Sequence, residues 1–301
     1  MSKHITIVGA GAWGLALAQV AAKAGHSVSI WSRQKPDWSK QVDAVIIAVP
    51  AQAVRQVLSG LSHLPPVLIS AAKGIERDTG LTMAETVLAL RPQAEFYALS
   101  GPSFAADVSA GLPTAVTLAG PTLLKATHWA QALSLPHFRI YPSDDVTGVE
   151  IGGAMKNVLA IACGIADAQG LGESARASLI TRSFAELSRY GAKSGARPET
   201  LMGLSGLGDL LLTCGSTKSR NYSFGLRLGS GMTAAEALAQ SSGVVEGAYT
   251  ATIAARLAAQ KNVEMPIVEA VSAIIDGRSS PRDEIAKLLN RPVRPEANSN
   301  Q

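Results

Sequence analysis

The sequence predicts an α/β domain with a mostly parallel sheet, followed by an all-α domain, and three observations support this prediction. Up to about residue 142, short apolar runs alternate with helical segments. After residue 142, only helical patterns follow. A glycine-rich turn separates the first apolar run from the first helical segment. We therefore divide the chain into an N-terminal domain (1–142), a helical domain (143–290) and a polar tail (291–301) that we expect to be disordered.

The composition narrows the class of protein further. Hydrophobic residues make up 47% of the 301 residues, which is enough for a sizeable core. No apolar run reaches the roughly 20 residues that a membrane span needs, so we expect a protein that does not span a membrane. The net charge is +4, but the basic residues are scattered, which favours phosphorylated small molecules over nucleic acid as partners. Cys163 and Cys214 lack metal-ligand spacing and indicate a reducing, cytoplasmic compartment and no metal site.

The individual elements follow from the apolar patterns. Strands are predicted for short runs rich in Val, Ile and Ala: 5–8, 27–31, 44–49, 67–71, 96–99, 114–118 and 138–141. Helices are predicted between them at 12–23, 51–58, 82–90 and 122–133. The second half begins with a Pro-Ser-Asp-Asp start signal and has helical patterns at 145–168, 173–191, 198–204, 233–241, 245–260, 267–275 and 281–290. The connection 34–42 is short and contains Pro36, so we expect no full helix there.

The glycine-rich turn, GAGAWG at 9–14, has the spacing and the context of the dinucleotide-binding fingerprint of Rossmann-type domains. Gly9 permits a tight turn, Gly11 lets the backbone approach a pyrophosphate, and Gly14 lets the helix pack close to the strand. The pyrophosphate would lie at the start of the helix, at Ala12, where free N–H groups attract an anion. We therefore predict that this turn binds a nucleotide cofactor.

The residues after the second predicted strand select between the two nicotinamide cofactors. An acidic residue there would bind the ribose 2′-hydroxyl of NAD, but the sequence reads Trp31-Ser32-Arg33. Arg33 can pair with a 2′-phosphate, so NADP(H) is favoured and NAD(H) is the second choice. A solvated surface arginine is the alternative interpretation of Arg33.

Lys156 is the candidate acid or base of the helical domain. It is the only charged residue in the apolar run 151–166, where an unpaired ammonium would be costly to bury. All five histidines precede residue 142, so histidine is excluded from this role in the second half. We predict that Lys156 lies in a cleft and that its apolar surroundings lower its pKa. A lysine at the edge of a helix, with its ammonium in water, is the alternative.

Two other charged residues are candidates for the same site. Lys73 follows the predicted strand at 67–71, at the sheet edge where α/β domains bind ligands. Asp209 is the only charge in the glycine-dense run 203–214. It could hydrogen-bond a substrate hydroxyl, hold Lys156, or cap a helix.

Two segments near residues 220 and 246 complete the set of candidates. The polar loop 215–221 contains Arg220, whose guanidinium suits phosphate oxygens, and a solvated turn is the alternative. Glu246 stands beside apolar residues at a predicted helix start, where it is equally well explained as a partner of the helix dipole.

These segments, in this order, resemble the bacterial-type NAD(P)-dependent glycerol-3-phosphate dehydrogenases. The matching segments are GAGAWG (9–14), AAKGIE (71–76), SGPSFA (100–105), EIGGAMKNVLAIACG (150–164), GLSGLGDLLLTC (203–214), SRN (219–221) and VVEG (244–247). Unrelated Rossmann-type reductases share only the first of these. The resemblance implies reduction of dihydroxyacetone phosphate to sn-glycerol 3-phosphate with NAD(P)H, at the head of glycerophospholipid synthesis.

The resemblance also implies roles for the residues at matching positions. Lys156 resembles the general acid/base, and Lys73 matches a lysine that contacts both cofactor and substrate. Implied substrate contacts are Gly101, Ser103, Asp209, Ser219, Arg220 and Asn221. Implied cofactor contacts are Trp13, Arg33, Ala105, Arg220, Val244 and Glu246. We further expect the small residues 152–154 to leave room for the nicotinamide and the substrate against the helix.

The chain departs from the family pattern in one place, because family members usually have a much longer segment between the second and third strands.

The sequence leaves the oligomeric state open, with a homodimer as one alternative. It also leaves open two other functions, a reductase of the same plan that acts on a β-hydroxyacid or an imine, and a regulator that binds NADP(H) without turnover.

Overall fold

The N-terminal half of the protein is built on one sheet. The computed structural model describes residues 2–33, 42–61 and 63–293, and in this part of the chain seven strands pair in the order β2-β1-β3-β4-β5-β6-β7. The strands are β1 (His4–Val8), β2 (Ser27–Trp31), β3 (Ala44–Ile47), β4 (Val67–Ser70), β5 (Glu95–Ser100), β6 (Thr114–Ala119) and β7 (Phe138–Ser143). Strands β1 to β5 pair in parallel, whereas β6 is antiparallel to β5 and parallel to β7. The predicted mostly parallel sheet is therefore confirmed.

Helices cover both faces of this sheet. They are α1 (Ala12–Lys23), α2 (Val54–Ser59), α3 (Met83–Leu90), α4 (Ala105–Ser109) and α5 (Leu123–Leu133), and a short 3-10 turn (Ala51–Ala53) precedes α2. Alternate residues of a strand point to opposite faces, so Ile5 and Ile7 pack with α1 and α5. Val8 and Ile47 point to the other face and pack with α2 and α3. The apolar strand runs that the sequence shows are thus explained by burial on both faces.

The second half is entirely helical in the described residues and is arranged around one helix, α6 (Val146–Ala168). The other helices are α7 (Glu173–Lys193), α8 (Pro198–Met202), α9 (Asp209–Cys214), α10 (Arg220–Gly229), α11 (Ala234–Ala239), α12 (Glu246–Gln260), α13 (Pro266–Ile275) and α14 (Pro281–Leu289). A π-helical turn, Leu204–Gly208, leads into α9. Helix α6 is buried on all sides along most of its length, which explains why it is apolar around its whole circumference.

Helix α6 also corrects one expectation about apolar runs. By length and composition it could cross a membrane, with a mean hydropathy of 1.4 in its most apolar window, although the sequence analysis found no such run. Because 94% of that window is buried inside the protein, α6 is a core helix of the helical half. Among the described residues no second helix meets the same criteria.

Three helices were not predicted from the sequence. Helix α4 has five residues, too few for a helical period to emerge. The glycine-dense run 203–214 becomes the π-helical turn and α9, so the predicted helix 198–204 ends at Met202. The predicted polar loop ends at Ser219, and Arg220 opens α10 instead. The local sequence does not favour helix clearly at any of these three segments, and packing against other elements selects the helical conformation.

Two predictions fall wholly or partly outside the described residues. The connection between β2 and β3 is described only at its ends, because residues 34–41 lie outside the described part. Of the tail 291–301, only 291–293 are described, and there the Arg291 guanidinium donates to Glu264 at 3.1 Å. The expected disorder of 294–301 concerns residues outside the described part.

Candidate active site

Two lysines and one aspartate meet where the sheet contacts the helical half. Lys73 lies in the loop after β4, Lys156 lies in the middle of α6, and Asp209 is the first residue of α9. Nζ of Lys156 donates to Oδ1 of Asp209 at 2.6 Å, and Nζ of Lys73 donates to Oδ2 at 2.7 Å. One carboxylate, with its side chain only 1% exposed, therefore bridges two ammonium groups. The cluster carries one net positive charge in a buried place.

Burial and the neighbouring charges shift the pKa of Lys156 and of Asp209. Burial lowers the pKa of Lys156 to about 8; Asp209 opposes this decrease, and the charge of Lys73 adds to it. Burial disfavours the carboxylate of Asp209, but Lys156 and Lys73 outweigh that effect and hold its pKa below the ordinary value. With a pKa of about 8, Lys156 can donate a proton as the ammonium and accept one as the neutral amine near neutral pH, as a general acid or base must.

The remaining hydrogen bonds of the two lysines leave donors for a ligand. Lys156 Nζ also donates to Oγ1 of Thr213 at 3.0 Å, and Lys73 Nζ donates to the carbonyl oxygen of Gly101 at 3.0 Å. An ammonium has three N–H groups, so each lysine keeps one for a further acceptor. Two converging N–H donors can bind the oxygens of a small polar substrate.

Thr213 is a member of the cluster that the sequence analysis missed. It lies four residues after Asp209, one turn along α9, and its hydroxyl donates to the carbonyl oxygen of Asp209 at 2.6 Å. The oxygen of that hydroxyl accepts from Lys156. The i, i+4 spacing could have indicated Thr213, but only if α9 had been recognised as a helix.

Asn157 is a second missed residue and joins three segments of the site. Its Nδ2 donates to the carbonyl oxygen of Lys73 at 3.2 Å, and its Oδ1 accepts from Nδ2 of Asn221 at 2.8 Å. Oδ1 of Asn221 in turn accepts from the N–H of Gly247 at 2.9 Å. These amides connect the loop after β4, α6, α10 and α12. Asn221, expected to contact substrate, thus has two protein partners and one N–H left over.

The turn before α1 has the form that a bound dinucleotide requires. Gly9 has a φ of 121°, which only glycine adopts without strain, and a side chain at Gly14 would overlap the carbonyl oxygen of Gly9. No atom lies within 4 Å of the position that a Cβ of Gly11 would occupy. Ala12 is exposed, and no side chain caps the N-terminus of α1. The first turn of α1 is therefore open to an anion, which fits a pyrophosphate.

Two buried polar atoms of the predicted cofactor-binding residues lack a hydrogen-bond partner within the described part of the chain. They are the indole N–H of Trp13 and Oε2 of Glu246. The other oxygen of Glu246 accepts from the N–H of Ala51 at 3.0 Å, just after β3. Burial raises the pKa of Glu246 to about 7, against the opposing effects of Ala51 and Arg220. Buried polar atoms without partners are uncommon, and a bound cofactor would explain both.

The other predicted cofactor residues stand near the ends of strands and helices. Arg33 follows β2 and is exposed. Ala105 is the first residue of α4, and Val244 precedes α12 by two residues. Every one of these residues stands at the carboxyl end of a strand or at the start of a helix, which is where α/β domains bind nucleotides.

The segment 219–221 forms the start of α10. The hydroxyl of Ser219 caps the helix by accepting from the N–H of Tyr222 at 3.2 Å. The side chain of Arg220 is exposed and lies against Gly243. A helix start with an adjacent free guanidinium suits an anion such as a phosphate.

The turn after β5 is fixed to the lysine cluster. The carbonyl oxygen of Gly101 accepts from Lys73 and also from the hydroxyl of Ser103 at 3.0 Å. A side chain at Gly101 would collide with Val116 on the neighbouring strand β6. The structure therefore places Gly101 and Ser103 beside Lys73, next to the atoms that could bind a substrate.

The expectation that residues 152–154 leave room for ligands is wrong for the two glycines. A Cβ on Gly152 would collide with the carbonyl oxygen of Ser205, and a Cβ on Gly153 would lie 2.7 Å from the hydroxyl oxygen of Ser100. Both glycines, like Ala154, are buried. They are small because the π-helical turn and the end of β5 pack directly on α6.

Comparison with known proteins gives the family of this chain. The profile of the C-terminus of NAD-dependent glycerol-3-phosphate dehydrogenase matches residues 145–286, and the profile of its N-terminus matches residues 4–43 and 36–124. The chain belongs to the NAD-dependent glycerol-3-phosphate dehydrogenase family. The two pieces of the N-terminal match meet at the connection between β2 and β3.

Individual members of the family are similar over almost their whole length. A glycerol-3-phosphate dehydrogenase [NAD(P)+] of Methylobacterium radiotolerans is 49% identical over 327 aligned positions, which cover 97% of this chain and 98% of that protein. One of Erythrobacter litoralis is 44% identical, with 99% of both chains covered. The crystal structure of glycerol-3-phosphate dehydrogenase from Coxiella burnetii superposes with a TM-score of 0.90 at 34% identity, covering 96% of this chain and 99% of the other. The first alignment is longer than the 301 residues of this chain, as expected if the relative carries a segment that is shortened here.

Proposed function

We propose that this family member is an oxidoreductase that reduces dihydroxyacetone phosphate to sn-glycerol 3-phosphate with NAD(P)H, in the cytoplasm, for glycerophospholipid biosynthesis. The observation that carries the proposal is the buried cluster of Lys73, Lys156 and Asp209. Two further features support it, namely a turn that fits a dinucleotide and a helix start that fits a phosphate. Relatives named glycerol-3-phosphate dehydrogenase [NAD(P)+] support the same reaction.

Lys156 is the proton donor in this proposal. NAD(P)H, when bound, supplies the hydride that reduces the carbonyl carbon of the ketone. Below a pH of about 8 Lys156 is mostly an ammonium, and its remaining N–H can point at the carbonyl oxygen and protonate it as negative charge develops there. Asp209 and Thr213 hold the other two N–H groups and so fix the direction of the donor.

Lys73 positions the substrate rather than exchanging a proton. Its Nζ is held by Asp209 and by the carbonyl oxygen of Gly101, which leaves one N–H for a substrate oxygen. Its charge also adds to the lowering of the Lys156 pKa. Positioning by two lysines and stabilisation of the developing charge in a buried site supply the part of the rate enhancement that proton transfer does not.

Arg220 and the start of α10 bind the phosphate in this proposal. The guanidinium is exposed and belongs to the first turn of α10, where free N–H groups favour an anion. Arg33 supports NADP(H) as the favoured cofactor, since Ser32 and Arg33, rather than an acidic residue, directly follow β2, and NAD(H) also fits the site. The names of the relatives include both cofactors.

A substrate panel tests the proposed reaction. Oxidation of NADPH and NADH is followed by absorbance with dihydroxyacetone phosphate, with unphosphorylated dihydroxyacetone and with a carboxylated ketone. We expect turnover that depends on the phosphate, because Arg220 and the start of α10 would bind the phosphate and unphosphorylated dihydroxyacetone offers them no anion. Preference for the carboxylated ketone would instead favour another reductase, and cofactor binding without any turnover would favour a regulator.

The two structural parts correspond, in our proposal, to a cofactor domain (1–142) and a substrate and catalytic domain (143–290).

We further propose that the protein is a homodimer that pairs through an apolar groove of about 1330 Å³ between α6, α7, α13 and α14. Leu289 and Val293 at the end of this groove are 78% and 101% exposed. Burying such side chains in a partner's groove would remove apolar surface from water.

The dimer is tested by the mass of the protein in solution. We expect sedimentation velocity to give a dimer for the wild-type protein and a shift toward monomer for Leu289→Lys. Leu124→Lys is the matched control, since Leu124 is 81% exposed on α5 of the sheet half. A wild-type monomer, or equal effects of the two substitutions, would contradict this interface.

A further inference from the structure

Lys218 reaches across the outside of the candidate active site. It lies in the turn before α10, and its Nζ donates to Oδ1 of Asp107 at 3.0 Å on α4. The same Nζ lies 5.9 Å from the centroid of the Phe104 ring, just before α4. The side chains of Lys218 and Asp107 are 60% and 31% exposed. This ion pair therefore joins the helical half to the sheet half on the solvent side of the site.

The turn that carries Lys218 is fixed to α10. The N–H of Lys218 donates to the hydroxyl of Ser216 at 3.2 Å, and the N–H of Ser219 donates to the carbonyl oxygen of Ser216 at 2.9 Å. The hydroxyl of Ser223 donates to the carbonyl oxygen of Thr217 at 2.9 Å. The position of Lys218 is therefore coupled to that of Ser219 and of the start of α10.

The other end of the ion pair is fixed to the catalytic cluster. Helix α4 follows directly on the turn in which Gly101 accepts from Lys73. Pro102 in this turn lies 3.7 Å from the position that a Cβ of Gly208 would occupy, one residue before Asp209. Asp107 and the lysine cluster thus belong to one connected unit.

We propose that Lys218 is a positioning residue, whose ion pair with Asp107 holds the segment 219–221 against the turn 101–105 and so retains the phosphorylated substrate. This inference rests on the proposed function of the site. The pair touches neither Lys156 nor its partners, so it acts on the affinity for the substrate and not on proton transfer. Its effect is small, since exposed ion pairs contribute little and are weakened by salt.

The test is a double-mutant cycle with Lys218→Met, Asp107→Asn, the double variant and the exchanged pair Lys218→Asp with Asp107→Lys. We expect each single substitution to raise KM for dihydroxyacetone phosphate by about two- to fivefold, the usual range for exposed ion pairs. The double variant should be no worse than either single variant. The exchanged pair should bring KM back toward the wild-type value, with kcat and the Kd of NADPH unchanged throughout.

Lys125→Met is the matched control, because Lys125 forms an ion pair of similar exposure with Glu95 at 2.7 Å, away from the site. We expect its KM to equal that of the wild type. Unchanged KM in the Lys218 and Asp107 variants would overturn the proposal. A lower KM in Asp107→Asn with a higher KM in Lys218→Met would also overturn it, since Lys218 would then contact the phosphate itself. Failure of the proposed function would appear elsewhere, as absence of turnover in the wild-type protein.

Discussion

The chemistry of the site depends on one residue, Asp209, which keeps two ammonium groups together in a buried place. Removing two charges from water is costly, and the cost is offset only when partners with good geometry are available. Asp209 provides both carboxylate oxygens, at 2.6 Å and 2.7 Å from the two Nζ atoms. Burial still lowers the pKa of Lys156 to about 8, although Asp209 opposes the decrease, and the hydrogen bond to Asp209 holds the ammonium in place.

The lowered pKa of Lys156 predicts opposite pH dependences for the two directions of the reaction. Reduction of the ketone needs the ammonium, so its kcat should be highest below a pH of about 8 and should fall above it. Oxidation of sn-glycerol 3-phosphate needs the neutral amine, so its kcat should rise through the same region. Both profiles are measured as initial rates at saturating substrate. A reduction rate that stays constant up to pH 10 would contradict the assignment of Lys156.

At this scale the sequence identified some parts of the site but not their connections. A single lysine in an apolar run indicated Lys156 only together with the absence of histidine from the second half, the neighbouring candidate segments and the family resemblance. The structure shows the alternative in which Asp209 holds Lys156. The bridge from Asp209 to Lys73 spans 136 residues of chain, so it follows only from the fold. Thr213 and Asn157 were missed because only their hydrogen-bond partners, which the sequence does not show, connect them with the site.

At the scale of elements, the close crossing of α6 and α10 holds the helical half together. A side chain at Gly164 on α6 would overlap the carbonyl oxygen of Tyr222 on α10, and one at Gly225 would overlap that of Ile161. The two backbones thus touch directly. This contact fixes the start of α10, and with it Arg220, relative to Lys156.

The crossing predicts that Gly164→Ala destabilises the protein although alanine favours helices. Helix propensity alone would stabilise the variant by about 1 kcal/mol. The collision with Tyr222 should outweigh this gain and give a net loss of about 1–3 kcal/mol, as is usual for overpacking. Denaturant unfolding measures the difference.

The control for this prediction is Gly60→Ala at the end of α2. Gly60 has a φ of −80°, and its Cβ would be in ordinary contact with carbonyl oxygens at 3.5 Å and 3.7 Å. We expect its stability to stay within about 0.5 kcal/mol of the wild type, as for most substitutions at exposed sites. If Gly164→Ala were as stable as Gly60→Ala, the close crossing would be contradicted.

The elements that the sequence predicted well are those with a clear apolar period and recognisable ends. Helix α1 and strand β2 have the predicted bounds, because Gly25 and the alternating pattern after it mark where the helix stops and the strand starts. Helix α9 had no such signal, since the glycines before it belong to a π-helical turn that packs on Gly152 and leave no apolar period. Helix α10 begins with a readable cap, Ser219, but its polar start resembles a loop.

At the scale of the whole molecule, function depends on the contact between two halves with different architectures. The sheet half supplies Lys73 and the turn for the cofactor, and the helical half supplies Lys156, Asp209 and Arg220. Fold class was predictable because strand and helix periods change near residue 142. The relation of the halves was not, because it rests on long-range contacts that leave no local pattern.

Substitution of Lys156 by alanine tests the account as a whole, with NADPH oxidation and NADPH binding measured on the same preparation. Lys156→Ala should lower kcat for dihydroxyacetone phosphate by about 10²- to 10⁴-fold, the usual contribution of general acid catalysis. It should still bind NADPH, detected by cofactor fluorescence, because the turn before α1 and Glu246 are unchanged. A Lys156→Ala enzyme with near wild-type kcat would contradict the central claim that this lysine is the proton donor.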